Sequence, residues 1–258
     1  MIVAQISDTH IAVDLPDSEI RKSDLERTIA DINSLEPLPD AIVHTGDITQ
    51  HGAPEEYRIV EEAISRARMP FFLVPGNKDN KSNLRAAFSA YGFFPAEGKF
   101  LQYAVEEFPI RLLVVDTVTP GINKGDYCEE RVRRLIELTD ADKTKPIAAF
   151  THHPPFVVLV GPDALHYKDL IALSRLDGAL QRSNRVTGIF SGHVHRSTRG
   201  YVGNIPASIV QCIATPLRKG EYPEQMKSRP VYHLHEFDAD GNFVTQTRIV
   251  ASSFANAA

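Results

Sequence analysis

Ile2-Val3-Ala4-Gln5-Ile6-Ser7-Asp8-Thr9-His10 is the stretch that decides the fold. A short apolar, β-branched run breaks at Ser7-Asp8, and an acid and an imidazole follow at i, i+2. The same punctuation recurs downstream. Ala41 to Val43 ends at Gly46-Asp47, Phe71 to Val74 at Pro75-Gly76-Asn77, Ile147 to Phe150 at Thr151-His152, and Val186 to Phe190 at Gly192-His193-Val194-His195. In open α/β sheets ligands gather beyond the carboxyl ends of strands, so these ends are expected to converge although they lie far apart in sequence. Glycines before Asp47, Asn77 and His193 are read as letting the backbone turn sharply there.

Between these strands the spacing predicts helices over Ser23 to Leu35, Pro54 to Arg68, Lys81 to Tyr91, Tyr127 to Leu138 and the latter part of Pro162 to Gln181. Phe100 to Glu106 and Arg111 to Val115 read as a hairpin around Glu107 to Pro109. The tail offers strands at Ser208 to Ile213, Val231 to Phe237 and Phe243 to Val250, the last two joined by the turn Asp238-Ala239-Asp240-Gly241-Asn242. Strand-helix alternation followed by a strand-rich second half predicts one α/β domain with two sheets over residues 1–258, its part from about residue 200 being strand-rich. Residues 11–22, 120–127 and 155–169 follow no clear period and are candidate pocket rims, and 217–230 reads as an exposed loop.

Composition narrows the function. The 258 residues carry 28 Lys+Arg against 33 Asp+Glu, and the formal net charge of -5 argues against a nucleic-acid coat, which needs a basic surface. No apolar run approaches the roughly 20 residues that span a membrane, so no membrane partner is expected. The N-terminus lacks a basic stretch followed by an apolar one, and two cysteines make no disulfide framework, so the expected location is cytoplasmic. Ten histidines beside two cysteines say that any metal is held by nitrogen and oxygen.

The strand ends supply Asp8, His10, Asp47, Asn77, His152, His193 and His195. That is more than one ion needs, and two ions sharing one carboxylate use the set well. Mixed carboxylate, imidazole and amide donors suit Mn, Fe, Zn or Co. Two such ions a few ångströms apart can deprotonate a bridging water near neutral pH.

Taken together, Asp8-x-His10, Gly46-Asp47, Gly76-Asn77-Lys78-Asp79, His152 and Gly192-His193-Val194-His195 resemble, in order and spacing, the five blocks of the calcineurin-like metallophosphoesterases. The resemblance covers residues 1 to about 195. Gly46-Asp47-Ile48-Thr49-Gln50-His51-Gly52 and the tail segment Arg229-Pro230-Val231-Tyr232-His233-Leu234 look like the class III cyclic nucleotide phosphodiesterase and glycerophosphodiesterase branch. The short Asp-Arg-Gly of the phosphoprotein phosphatases is absent. The resemblance implies a four-layer α/β/β/α sandwich of two mixed sheets flanked by helices. It implies a first ion on Asp8, His10 and His195, a second on Asn77, His152 and His193, and Asp47 bridging both. It further implies hydrolysis of a small phosphodiester by a metal-bridging hydroxide, substrate contacts from Asn77, Lys78 and His195, and a homodimer or higher homo-oligomer, for which the strand-rich tail could supply an interface. The alternatives on the same fold are a phosphomonoesterase, a nuclease or a non-catalytic scaffold.

One position departs from the pattern. Where the third block of the family has histidine, this chain has Lys78. We read Lys78, with Asp47, as catalytic: an electrostatic clamp on the phosphate rather than a proton donor. Asp79 is read as a second carboxylate that orients ligand imidazoles. Of the remaining histidines, His44 is expected in the core, His153 beside a ligand, and His51 and His166 near the pocket. His233 and His235 alternate along a strand whose face is read as polar surface.

Overall fold

The computed structural model describes residues 1–159 and 163–252. The chain begins β1 (Ile2–Ile6), α1 (Ser18–Asn33), β2 (Ala41–His44), α2 (Pro54–Ile64), β3 (Phe71–Leu73), α3 (Lys81–Ala87), β4 (Tyr103–Val105) and β5 (Arg111–Val115). It continues α4 (Glu129–Ala141), β6 (Ile147–Thr151), α5 (Leu170–Arg182), β7 (Val186–Ser191), β8 (Thr198–Val202), β9 (Ile205–Ile209), α6 (Glu224–Lys227), β10 (Val231–Phe237) and β11 (Phe243–Ile249).

The strands form a five-stranded sheet in the order β11-β10-β1-β2-β3 and a six-stranded sheet in the order β4-β5-β6-β7-β9-β8. Both are mixed. β1, β2 and β3 run parallel, as do β5, β6, β7 and β9, whereas β10, β11, β4 and β8 are added antiparallel. Parallel strands buried on both faces read as short continuous apolar runs, as β2 (Ala-Ile-Val) and β5 (Leu-Leu-Val-Val) do. Leu112, Val114, Ala148, Phe150 and Phe190 face the first sheet and join its core. On the other face Leu113, Val115, Ala149 and Ile189 pack with Leu135 of α4 and Leu176 of α5. The result is the four-layer α/β/β/α sandwich expected from the sequence.

Several boundaries differ from the sequence expectation, each for a physical reason. α1 starts at Ser18, so residues 18–22 are helix and not rim. Its first turn hides its inward face because that face carries Arg21. This guanidinium is buried, and its two terminal nitrogens donate to Asp17 (2.9 Å), the His10 carbonyl (3.0 Å) and Gln50 Oε1 (3.2 Å). β8 has no apolar run to announce it, since it is an outer strand with Arg199 and Tyr201 exposed. The tail strand expected over Ser208 to Ile213 is β9, five residues ending at Ile209. Beyond it Val210 N donates to the Ser191 carbonyl and Ile213 N to the Ser7 carbonyl, which carries the chain across to the first sheet. The segment 217–230 contains α6. Residues 160–162 of the candidate rim 155–169, including the start expected at Pro162, lie outside the described residues.

The polar-surface reading of His233 and His235 is wrong. β10 lies between β1 and β11, with one face toward the second sheet, so both histidines are buried. The His235 ring lies 4.0 Å from that of Phe190, centroid to centroid.

Candidate metal centre

The candidate residues sit just past the carboxyl ends of β1, β2, β3, β6 and β7, where two sheets present their parallel strand ends side by side. Asp8 and His10 follow β1, Asp47 follows β2, Asn77 follows β3, His152 follows β6, and His193 and His195 follow β7. The backbone there is unusual. Asp8 (φ 55°), His10 (φ 44°), Asp47 (φ 50°), His193 (φ 71°) and His195 (φ 58°) all occupy the left-handed region. Each such non-glycine residue costs on the order of 1–3 kcal/mol and persists only where its surroundings enforce it. The preceding glycines do a different job from the one read in sequence. Only Gly46 is left-handed (φ 96°). At Gly76 an added Cβ would lie 1.9 Å from Asp47 N, and at Gly192 1.9 Å from Ser7 Oγ. Those two glycines allow strand ends to touch.

All seven candidates are brought together. Asp8, His10, Asp47 and His195 place one donor atom each within 4.8 Å of one another. The second group centres on His152, whose Nε2 lies 3.0 Å from Asn77 Oδ1 and 3.2 Å from His193 Nδ1. Asp47 reaches both groups with separate oxygens: Oδ2 is 3.6 Å from His10 Nε2 and Oδ1 is 3.4 Å from His152 Nε2.

The imidazole tautomers follow from their outer partners. His152 Nδ1–H donates to the Thr45 carbonyl (2.8 Å) and His195 Nδ1–H to the Leu217 carbonyl (3.0 Å). His10 Nδ1–H donates to Gln50 Oε1 (3.1 Å), an oxygen that also accepts from Arg21. Each neutral ring therefore turns an Nε2 lone pair inward. His10 Nε2 and His195 Nε2 then face each other at 3.0 Å. Two lone pairs at that distance repel unless a cation or a proton lies between them. This donor set fits a pair of divalent ions, with backbone carbonyls and an amide fixing the rings from outside.

The electrostatics agree. Burial opposes charge on every group here, yet His195 and His152 hold the Asp8 and Asp47 carboxyls below the ordinary carboxylate range. Conversely, against the same burial Asp47 lifts His152 to about 9 and Asp8 lifts His195 to about 11. At the other two rings burial wins, lowering His10 to about 4 and His193 well below 6.5.

Other expectations fare differently. His44 is a core residue, donating from Nε2 to Thr9 Oγ1 (2.9 Å) and accepting from Gly46 N (3.2 Å). His153 packs 4.5 Å from His193, centroid to centroid. Its Nε2–H is taken by the Asn123 carbonyl and its Nδ1 by the Thr117 hydroxyl, so it has no free lone pair for an ion. His166 approaches His193 at 5.1 Å, whereas His51 pairs with Asp14 at the surface. The ammonium of Lys78 has no hydrogen bond or ion pair among the described residues, and its backbone N–H donates to Asp47 Oδ1 (2.7 Å). Asp79 does not orient an imidazole. It is buried, accepts from the backbone of Gly76, Ile48 and Thr49 and from Tyr57 Oη, and so ties the second block to the third. Burial, then the charge of Asp47, pushes its carboxyl up to about 7. Gln50 and the Thr45 and Leu217 carbonyls were missed as ring-orienting groups. Gln50 lay within the quoted second block, but nothing in its residue type announces that role.

The model of the calcineurin-like phosphoesterases matches residues 1–197. The chain belongs to the calcineurin-like phosphoesterase family. Among relatives of this phosphoesterase, a probable glycerophosphodiester phosphodiesterase, GpdQ, of Arcobacter nitrofigilis is 34% identical over 97% of this chain and 93% of its own. A cAMP/cGMP dual specificity phosphodiesterase of Mycobacterium tuberculosis is 28% identical over 81% of this chain and 66% of its own. A dimetal phosphatase from Danio rerio shares the fold, with a TM-score of 0.73 at 13% identity, covering 97% of this chain and 96% of that one. Among the described residues no helix is long and apolar enough to cross a membrane.

Proposed function

We propose that this phosphoesterase hydrolyses a small phosphodiester, a 3′,5′-cyclic nucleotide or a glycerophosphodiester, using two divalent ions drawn from Mn, Fe, Zn or Co. The observation that carries the reading is Asp47, whose two carboxylate oxygens each approach a different imidazole group. Asp8, His10 and His195 with Asp47 would hold the first ion, and Asn77, His152 and His193 with Asp47 the second. When bound, the ions supply Lewis-acid charge and lower the pKa of the attacking water. The chain's own groups do the rest. Asp8 and Asp47 keep the inner charge below that of two cations, which leaves a net attraction for a phosphodiester monoanion. The neutral amide of Asn77 preserves that balance. Asn77, His195 and the free ammonium of Lys78 border the place where the phosphate would sit, and Lys78 clamps its developing negative charge. The diester assignment draws on the printed names of the relatives above.

The whole chain acts as one domain, since β10 and β11 complete one sheet and β8 and β9 the other. It works as a homodimer or larger homo-oligomer. Supporting this, a cleft of about 910 Å³ between the β8–β9 hairpin and β11 carries exposed Tyr201 and Val244. A cytoplasmic site of action accords with two cysteines that are both free.

The test is hydrolysis of cyclic AMP, glycerophosphodiesters and bis-p-nitrophenyl phosphate with added Mn²⁺, alongside p-nitrophenyl phosphate. Metal-dependent turnover of diesters, lost in Asp47→Ala, is expected. Turnover of the monoester alone would overturn the diester reading, and no metal-dependent turnover of any ester would overturn the enzyme.

A further inference from the structure

Gln5 is the last residue but one of β1, three residues before Asp8, and is fully buried. Its side chain enters the space between the two sheets. A buried amide has to spend its donors and acceptor inside the protein, and this one spends all three on different strands. Nε2 donates one hydrogen to Thr45 Oγ1 (3.1 Å) at the end of β2 and the other to the Ser191 carbonyl (3.0 Å) at the end of β7. Oε1 accepts from His235 Nε2 (3.0 Å) on β10, whose Nδ1 lies 2.8 Å from Thr245 Oγ1 on β11.

Both residues held by the amide nitrogen stand directly behind the metal centre. Thr45 precedes Asp47 by two positions, and its carbonyl accepts the Nδ1–H of His152. Ser191 precedes His193 by two positions. The candidate ligands are divided between the sheets: Asp8, His10, Asp47 and Asn77 follow strands of the first, and His152, His193 and His195 follow strands of the second. Each ion position therefore needs donors from both sheets, and a small slide of one sheet over the other would open both positions at once. Pure apolar packing resists separation of two sheets but specifies their sliding poorly. A directional amide with a partner on each side specifies it well.

We propose that Gln5 is a positioning residue that sets the registration of the two sheets, and through Thr45 and Ser191 the spacing of the two halves of the metal centre. It touches neither ion nor substrate. This rests on the two-ion reading above, and the experiment separates the two.

Gln5→Leu keeps the volume and removes both donors. Thr45→Val removes one acceptor and leaves the Thr45 carbonyl in place for His152. His235→Phe removes the donor to Oε1, together with the Thr245 bond on β11, and leaves both inter-strand bonds of the amide nitrogen. Mn²⁺ binding by calorimetry and the exchange-coupled paramagnetic resonance signal of a manganese pair are measured, with melting temperature recorded for each variant. Wild type binds a coupled pair. Gln5→Leu loses at least tenfold in Mn²⁺ affinity and most of the coupled signal, and Thr45→Val shows a smaller loss of the same kind. His235→Phe lowers the melting temperature and leaves the coupling intact. If wild type binds no coupled pair, the two-ion reading fails and the positioning role with it. If wild type does bind one and Thr45→Val and any folded Gln5→Leu match it, only the positioning role is overturned. Equal loss of coupling in His235→Phe would likewise reduce Gln5 to a packing residue.

Discussion

Alanine at position 76 inserts one methyl group where two strand ends touch. Its Cβ would lie 1.9 Å from Asp47 N, 2.4 Å from Asp47 Oδ1 and 2.7 Å from Asp47 Cα, where real Cβ contacts stay above 3.0 Å. Asp47 or the third block must therefore retreat by about an ångström, and two of those three atoms are backbone, which cannot swing aside. Asp47 faces both imidazole groups, so the shift acts on both. A misplacement of that size costs roughly a hundredfold in rate. Gly178→Ala is the matched control, because nothing lies within 4 Å of its added Cβ. In the middle of α5 that change is worth about 0.5–1 kcal/mol of added stability. The assay is Mn²⁺-dependent hydrolysis of bis-p-nitrophenyl phosphate together with bound metal content. Gly76→Ala is expected to fold, to bind metal weakly and to lose about two orders of magnitude in kcat/KM. Wild-type metal content and turnover in Gly76→Ala would refute the close apposition of the second and third blocks, and with it the shared carboxylate.

Two further outcomes are expected. Lys78→Ala should lower turnover of alkyl and nitrophenyl diesters alike, by about 10²–10³-fold, as loss of a charge on the phosphate would; a far larger loss on the alkyl ester would make Lys78 the proton donor. His233 is buried with neither ring nitrogen paired among the described residues, and burial, then Arg199, lowers it to about 4 from 6.5. The unfolded chain thus takes up the proton first. The stability contribution is present above pH 6.5 and is lost as pH falls toward 4, by about 2 kcal/mol between pH 7.5 and 5. Urea unfolding at both pH values should show His233→Leu losing that much less than wild type, and equal losses would place a charged or solvated histidine there.

The centre was legible because its donors sit at strand ends, where an apolar run stops abruptly at Asp8, Asp47 or His193 and residue type alone carries the signal. The layers were legible for the same reason, since β2 and β5 have no polar face. What stayed hidden depends on long-range contact. Arg21 looks like a solvated residue until its three acceptors are assembled around it from residues 10, 17 and 50. β8 alternates weakly because it is an outer strand. His233 and His235 have the pattern of a half-exposed strand, and only the placement of β10 inside the first sheet, with that face against the second, buries them. The left-handed backbone fell on five of the candidate ligands and on only one of the three glycines beside them, Gly46, because the constraint comes from strand ends crowding together.

The insertion of β10 beside β1 also bears on how the protein is made. The Met1 ammonium donates to the Phe237 carbonyl across a separation of 236 residues. At bacterial and eukaryotic synthesis speeds, β1 waits roughly 10–50 s on the ribosome for that neighbour. During this time one side of β1 is an open edge, ready to pair with whatever strand comes by. Parallel pairing with β2 and β3 can shelter the other side early. Aggregation of the newborn chain, more than loss of the finished one, is then the hazard that changes in β10 would raise.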